Sequence, residues 1–478
     1  MTTADQVLDA LRAVKDPDLG RDIVALGFVK NLAIAGGRVA FDVELTTPAC
    51  PVKDRLREQA RAAVMTLPGV SEVAINMTAQ VRHAAAHAGQ TPDGLSRVKN
   101  VIAVASGKGG VGKSTVATNL ALALARTGAR VGLMDADVYG PSVPTMLGPA
   151  DEAGGAKGEG VFAPAQKLGL KFISMGLFTG ADTPVIWRGP MASKLIQQFL
   201  GQVEWGELDY LFIDLPPGTG DVQLTLTQVA PLMGAVIVTT PQEVAVGITI
   251  RGLRMFEKVR VPILGIVENM SMFVCPHCEQ ATPLFSHGGG RTAATELQVP
   301  FLGEVPLDPA IVVAGDAGRP VVSDGATTPA ARAFTAIAER LAQQVSIVND
   351  ATARAARFQP EEVQVTEGAV LVRWSDGHVS RFASRALRLA CPCALCVEEL
   401  TGAPRLDPAT VPADVQPNEV RPVGRYAFQF LWSDGHTTGI YSFDTLRGLD
   451  PAAPREKPAP RRLPVLDGGR TARPGGQS

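Results

Sequence analysis

Three stretches of this chain hold side chains whose type and spacing suit chemistry. The first is Gly107-Lys108-Gly109-Gly110-Val111-Gly112-Lys113-Ser114-Thr115. Its glycines let consecutive backbone N–H groups turn inward around a phosphate, at a helix N-terminus whose dipole also favours anions. Lys113 would then meet the β- and γ-phosphates of a nucleotide, and Ser114 would ligate Mg²⁺. The apolar run Val101–Ser106 precedes the loop, and a helix-like run, Ala117–Thr127, follows it and stops at Gly128. That strand–loop–helix setting is what the motif requires; a mere glycine-rich turn is the bland alternative. Carboxylates fall at other strand ends: Asp135 and Asp137 in MDADVYGPS, and Asp214 in LFIDLPPGTGD. Ligands of α/β sheets bind at that edge, although Asp135 reads equally well as a turn or cap residue.

The other two stretches are cysteine clusters, Cys275-Pro-His-Cys278 and Cys391/Cys393/Cys396. Six cysteines in 478 residues are too few for a disulfide scaffold, and in a reducing compartment such clustering reads as metal binding or redox chemistry. Thiolates suit zinc and iron–sulfur clusters. Two thiolates alone satisfy neither zinc nor a cubane cluster, each of which wants four ligands in a closed site. A twofold axis between two copies removes that deficit for Cys275 and Cys278. A zinc bridge and a redox disulfide stay open as alternatives.

The elements that must position these groups follow from pattern. Residues 1–80 read as a small α+β unit: a helix in VLDALRAV, two strands turning at Gly36-Gly37, a helix from about Val52 to Met65, and a last strand in VSEVAINM. Residues 81–97 read as a linker. From 98 to 345, β-branched runs alternate with helical stretches, which argues a mostly parallel sheet with helices on both faces. Residues 346–362 read as a second linker. Residues 363–450 read as β-rich, with an echo of Trp374-Ser-Asp-Gly-His378 in Trp432-Ser-Asp-Gly-His436; Asp-Gly is a hairpin turn signal. The tail 451–478, full of Pro, Gly and Arg, is expected to be disordered. The formal charge of −2 gives no electrostatic case for nucleic acid. No apolar run is long enough for a membrane span, and the N-terminus lacks a secretion-signal pattern. The expectation is a cytoplasmic protein that engages neither nucleic acid nor membrane.

With its second lysine, GKGGVGKST resembles the deviant Walker A ATPases, the superfamily of septum-site MinD, ParA and the nitrogenase iron protein. The resemblance implies that Lys108 crosses to the nucleotide of a partner subunit, a trans cation on the transferring phosphoryl group, so a homodimer is expected. It also implies that Asp137 orients the attacking water, that Asp214 acts on Mg²⁺ through water, and that the Pro-Pro-Gly-Thr-Gly run after it senses the γ-phosphate. Asn269, after the run ILGIVE, would read adenine. The twofold axis so implied is the one the cysteine pair needs. GKGGVGKST, DADVYGPS, DLPPGTGD, the NMS–CPHC segment and FSHGGG together resemble the Mrp (ApbC-type) iron–sulfur cluster carriers over essentially all of residues 98–345. That likeness implies a bridging [4Fe–4S] cluster on Cys275 and Cys278, passed to recipient apoproteins alongside assembly factors. His277 and His287 are read as surface or core residues in preference to ligands.

The flanking blocks carry resemblances of their own. Asp16-Pro-Asp-Leu-Gly20 and Thr46-Thr-Pro-Ala-Cys50-Pro resemble an iron–sulfur assembly-associated domain. Cys50 stands before a helix, and helix N-termini lower thiol pKa, so it reads either as a transient iron or cluster ligand or as a buried structural thiol. The C-terminal block, with LRLACPCALC, resembles the N-terminal domain of γ-butyrobetaine hydroxylase. That family implies structural Zn²⁺ on Cys391, Cys393, Cys396 and His436, a closed tetrahedral set; His378 is left a turn or surface role. The leading reading is an ATP hydrolase that binds and transfers iron–sulfur clusters, the alternative a MinD/ParA-like positioning ATPase without a cluster.

Overall fold

In the computed structural model the chain divides into two units, Met1–Ala353 and Arg354–Ser478. The structure describes residues 2–83, 92–158, 160–178, 189–218, 221–259, 261–275, 278, 280–325, 327–393, 395–397, 405–423 and 427–452. His277, residues 84–91 of the expected first linker and the tail from residue 453 lie outside the described residues.

The first unit opens on helix Ala4–Leu11, capped reciprocally by Thr3 and Gln6. Strands β1 (Val29–Ala35) and β2 (Arg38–Leu45) pair antiparallel. Between them Gly36 and Gly37 have φ of 56° and 86°, the doubly positive turn that matches strand twist. Helix Lys53–Met65 then carries the chain back so that β3 (Glu72–Ala79) runs parallel to β2. Alternation along β2 sends Val39, Phe41, Val43 and Leu45 into a core shared with Leu56 and Val64 of that helix.

Next comes the large sheet. Its strands are β4 (Val101–Ser106), β5 (Val131–Asp135), and, after a ribbon of β6 (Gly155–Gly158) and β7 (Val161–Ala163), β8 (Ala165–Lys167) and β9 (Leu170–Ile173). They continue with β10 (Tyr210–Asp214), β11 (Leu232–Thr239), β12 (Ile263–Glu268) and, beyond the hairpin β13 (Phe273–Val274) and β14 (Ala281–Thr282), β15 (Phe301–Glu304). The order is β15-β12-β11-β4-β10-β5-β9-β8, parallel throughout except β8. Strands β4, β5, β10 and β11 are buried along their whole length, the signature of a sheet covered on both faces. Phe212 joins the layer under helices Lys113–Arg126 and Pro329–Arg357, while Leu211 and Ile213 join the opposite layer under Gly189–Gln202 and Glu243–Lys258. The expected α/β architecture with a mostly parallel sheet is therefore present.

One expectation needs correcting. Residues 346–357 are not irregular linker: they continue helix Pro329–Arg357. Their alanines and arginines are strong helix formers, and Ile347 packs into the N-terminal core. Within the described part of the first linker, Val81 and Leu95 are likewise buried.

The second unit contains two three-stranded antiparallel sheets: β16 (Pro360–Thr366), β17 (Ala369–Trp374) and β18 (Val379–Ala383), then β19 (Pro417–Val423), β20 (Ala427–Trp432) and β21 (Ile440–Ser442). A short helix follows each, Ser384–Leu389 and Phe443–Leu449. One core unites Val372, Trp374, Phe430, Trp432 and Tyr441 with Cys391 and Cys396. The β-rich unit thus begins at Pro360, three residues ahead of the expected 363.

Candidate functional site

Because β4, β5, β10 and β12 are parallel neighbours or near neighbours, everything just past their C-terminal ends lies along one sheet edge. The glycine loop 107–112 leaves β4 and enters helix Lys113–Arg126. Gly110 and Gly112 have φ of 79° and 76°, which side chains resist. A Cβ on Gly107 would lie 2.8 Å from the Ile248–Thr249 backbone, and one on Gly112 would lie 2.3 Å from Asn269 Nδ2. The loop's glycines therefore serve both its turn and its close packing. Lys108 and Ser114 are partly exposed, while Lys113 is buried; the Ser106 hydroxyl donates to the Lys108 carbonyl at 3.0 Å. Thr115 begins the helix with its hydroxyl toward Met146 Sδ, and Val111 is buried beneath the loop.

Lys113 Nζ is 2.6 Å from Asp214 Oδ1 and 3.2 Å from Ser114 Oγ. Burial drives the Asp214 carboxyl pKa upward against the pull of Lys113. Among the described residues its Oδ2 is buried with no hydrogen-bond partner, an open acceptor of the kind a metal-bound water satisfies. Asp135 ends β5 beside it, and both its oxygens are engaged: Oδ1 accepts from Asp137 N–H at 3.2 Å, Oδ2 from Val143 N–H at 3.3 Å and the Ser174 hydroxyl at 2.9 Å. Burial, then the charge of Asp214, lifts the Asp135 carboxyl to about 7. Asp135 is thus the organiser of the 136–143 loop that presents the half-exposed Asp137. Ser174 has no motif around it; it reaches the site from the end of β9, a contact that only the tertiary fold reveals.

Asn269, just past β12, donates through Nδ2 to the Val111 carbonyl at 2.8 Å, so its amide is tied to the phosphate loop itself. The next residue, Met270, sits at φ 55°, an uncommon conformation for a side-chain-bearing residue. Ser271 then donates its hydroxyl to Glu304 and its N–H to the Val305 carbonyl. Hairpin β13–β14 follows, closed by Cys275 N–H on the Gln280 carbonyl at 3.1 Å. Its turn bears Cys275, half-buried, and Cys278, exposed.

Glu268, His287 and Glu304 form a further cluster, with ligand atoms within 4.8 Å of one another. Each is already committed. Glu268 accepts from Gly288 and Gly290 N–H, while Glu304 takes Ser271, His287 and Arg291. With a guanidinium in the set, this cluster is a staple that holds the FSHGGG segment to the strand ends.

Cys50 lies before helix Lys53–Met65, half-buried near Asp16, Asp18 and Thr47. The expected lowering of its pKa is reversed. Burial comes first and outweighs the Val52 backbone N–H at the helix start; with smaller additions from Asp16, Asp18 and Glu339 it pushes the thiol up to about 11.

In the second unit Cys391, Cys393, Cys396 and His436 come together, their ligand atoms all within 4.8 Å. His436 Nε2 lies 3.2, 3.5 and 3.8 Å from the three Sγ atoms in that order. Burial raises the Cys391 thiol to about 12. At Cys393 burial is outweighed by the Thr438 hydroxyl and the Cys391 thiol, and its pKa falls to about 7. Gly439 makes the room: a Cβ there would sit 2.7 Å from Cys391 Sγ. Of the turn or surface role left to His378, the turn is what the structure shows: it is half-buried there, its Nε2 2.7 Å from Asp450 Oδ2.

Comparison with known proteins agrees with this geometry. The family model described as NUBPL iron-transfer P-loop NTPase matches residues 97–342. An iron–sulfur cluster assembly protein model matches 4–76, and a γ-butyrobetaine hydroxylase-like N-terminal model matches 362–447. The chain is 51% identical to an iron–sulfur cluster carrier protein of Synechocystis sp., over 73% of this chain and 99% of that one. It is 42% identical to a chloroplastic Fe–S cluster assembly factor of Arabidopsis thaliana, over 94% of this chain and 83% of that one. A solved nucleotide-binding protein from Archaeoglobus fulgidus in complex with ADP is 40% identical over 50% of this chain and 92% of its own, with a TM-score of 0.43. No described helix is long and apolar enough to cross a membrane. The match of the family model over residues 97–342, with the identity to the two sequence relatives, shows that the chain belongs to the NUBPL iron-transfer P-loop NTPase family.

Proposed function

We propose that this chain is an ATP-hydrolysing iron–sulfur carrier that holds its cargo between two copies and passes it to recipient apoproteins. The observation that carries the reading is the short segment Asn269–Cys275. At one end it hydrogen-bonds the phosphate loop at Val111, and at the other it begins the cysteine turn. Nucleotide and cargo are thereby attached to opposite ends of one short, partly strained strip of chain.

Lys113 has two anions within its compass, the Asp214 carboxylate and the phosphates that the loop N–H groups would hold. Asp214 Oδ2 and Ser114 Oγ fit the role of holding Mg²⁺, the oxygen of Asp214 through water. Mg²⁺ there would neutralise charge developing on the phosphates. Asp137, fixed through Asp135, would orient the attacking water, and Lys108 would extend to the partner copy's phosphates. A [4Fe–4S] cargo needs four thiolates, which Cys275 and Cys278 supply when two copies meet about a twofold axis. Cytoplasmic residence accords with thiols kept reduced.

Cys391, Cys393, Cys396 and His436 fit Zn²⁺. Metal–ligand bonds of about 2.0–2.3 Å in a tetrahedron separate the ligands by roughly 3.3–3.8 Å, and the observed Nε2–Sγ distances span 3.2 to 3.8 Å. Zn²⁺ there would staple a small core.

The test is anaerobic reconstitution with iron and sulfide. About four irons per dimer and a broad brown absorbance are expected, lost in Cys275→Ser while zinc in the second unit stays. Equal iron retention by that variant would sink the reading.

A further inference from the structure

The echo noted in the sequence is a full structural duplication. In each copy the first strand's proline pairs with the tryptophan, Pro360 with Trp374 and Pro417 with Trp432. Each tryptophan N–H donates to the carbonyl of the turn histidine at 2.9 Å. Each turn aspartate, Asp376 or Asp434, accepts that histidine's N–H through Oδ1 at 3.1 Å.

The copies are also exchanged across the unit. Arg447, on the helix of the second copy, pairs with Asp376 in the turn of the first. Arg388, on the helix of the first, donates through Nε to Asp434 Oδ2 in the turn of the second at 2.8 Å. Three residues beyond each arginine stands the group that meets the opposite histidine. It is Asp450 for His378, at 2.7 Å, and Cys391 for His436, at 3.2 Å.

At this position the two halves differ: one is closed by the Asp450–His378 hydrogen bond, the other by the Cys₃His set. Arg447 lies over the Phe358 and Trp374 rings, at 4.5 and 5.3 Å, whereas Arg388 reaches a thiol. Besides clamping the His436 turn through Asp434, its Nη1 lies 3.5 Å from Cys396 Sγ, and its side chain is only 6% exposed. Three thiolates and a neutral imidazole around Zn²⁺ carry a net charge of about −1, which costs heavily in a buried site unless a cation stands beside it.

We infer that Arg388 is a positioning residue for a metal centre on Cys391, Cys393, Cys396 and His436, and that Asp450–His378 is its metal-free counterpart in the duplicate half. This rests on the zinc reading above. The guanidinium fork holds two ligand-bearing segments at once and offsets the charge of the thiolates. Arg447, with the same partner type and no thiolate, is the built-in control.

The experiment measures zinc affinity of the full chain by competition with a chromophoric chelator, and the thiolate-to-cobalt absorption after Co²⁺ substitution. Arg388→Met is expected to weaken zinc binding by about 10–100-fold, the range for lost outer-shell partners, and to shift the cobalt band. Arg447→Met is expected to leave both unchanged. Should Arg388→Met fail to fold, Arg388→Lys keeps a cation but loses the fork, and a several-fold loss is expected there; wild-type affinity in it overturns the inference. So does equal weakening in the Arg388 and Arg447 variants. Metal lost in Cys391→Ser but held normally in Arg388→Met removes only this inference, whereas a wild type that takes up no metal at these ligands removes the zinc reading with it.

Discussion

Lys113 Nζ and Asp214 Oδ1 stand 2.6 Å apart, with 6% and 0% of their side chains exposed. A buried pair of this kind is worth little against two apolar residues, yet breaking it from one side strands a charge. The strand end that supplies Asp214 and the helix start that supplies Lys113 are thus bound to each other by this pair.

In protein freed of nucleotide, Lys113→Met should destabilise the first unit by about 3–5 kcal/mol, the usual result of removing one partner of a buried pair. Adding Asp214→Asn should recover much of that loss. Urea melts of the two single variants and the double variant measure it, and simply additive losses would contradict the pairing.

Asp135 makes stability depend on pH in a definite direction. Its carboxyl sits at about 7 because of burial and then Asp214, against an unfolded value of about 3.9. Between those values the folded chain keeps a proton that the unfolded chain has lost. Its contribution is therefore complete below about pH 4 and declines as pH rises toward 7. Wild type should lose ground to Asp135→Asn across that window in metal- and nucleotide-free protein. Parallel midpoint-versus-pH curves for the two would show that the proton is not there.

Cys50, pushed up to about 11, should be a sluggish nucleophile. At pH 7.5 its thiolate fraction falls short of an ordinary cysteine's by on the order of a hundredfold. Timed alkylation followed by peptide mass spectrometry should label Cys278 long before Cys50. Comparable rates would mean that burial does not govern the Cys50 thiol.

The residues that touch ATP in the proposed reading were visible because they are contiguous: a loop from Gly107 to Thr115 and single carboxylates at the ends of apolar runs. The parallel sheet was visible for a related reason, since a strand buried on both faces is apolar throughout. What escaped notice depends on distant parts of the chain. Ser174 and Asp135 are brought together only by the pairing of β9 with β5. Arg388 stands in no motif, and only the duplicate turn brings Asp434 to it. The direction at Cys50 runs against its local cue, the helix start, because the fold buries the thiol, and burial is the larger effect. Residues 346–357 looked like a linker for want of large apolar groups, although alanine and arginine favour helix and Ile347 finds a core.

That long helix, Pro329–Arg357, bears on where the protein can be cut. Its first half lies on the sheet through Phe334, Leu341 and Val345. Its second half serves the N-terminal block: Ser346 hydrogen-bonds Thr46 at 3.1 Å, and Ile347 packs into that block's core. A fragment ended at 345 would shear this brace in mid-span and leave the small block without its abutment. A fragment carried through Ala353 keeps it whole.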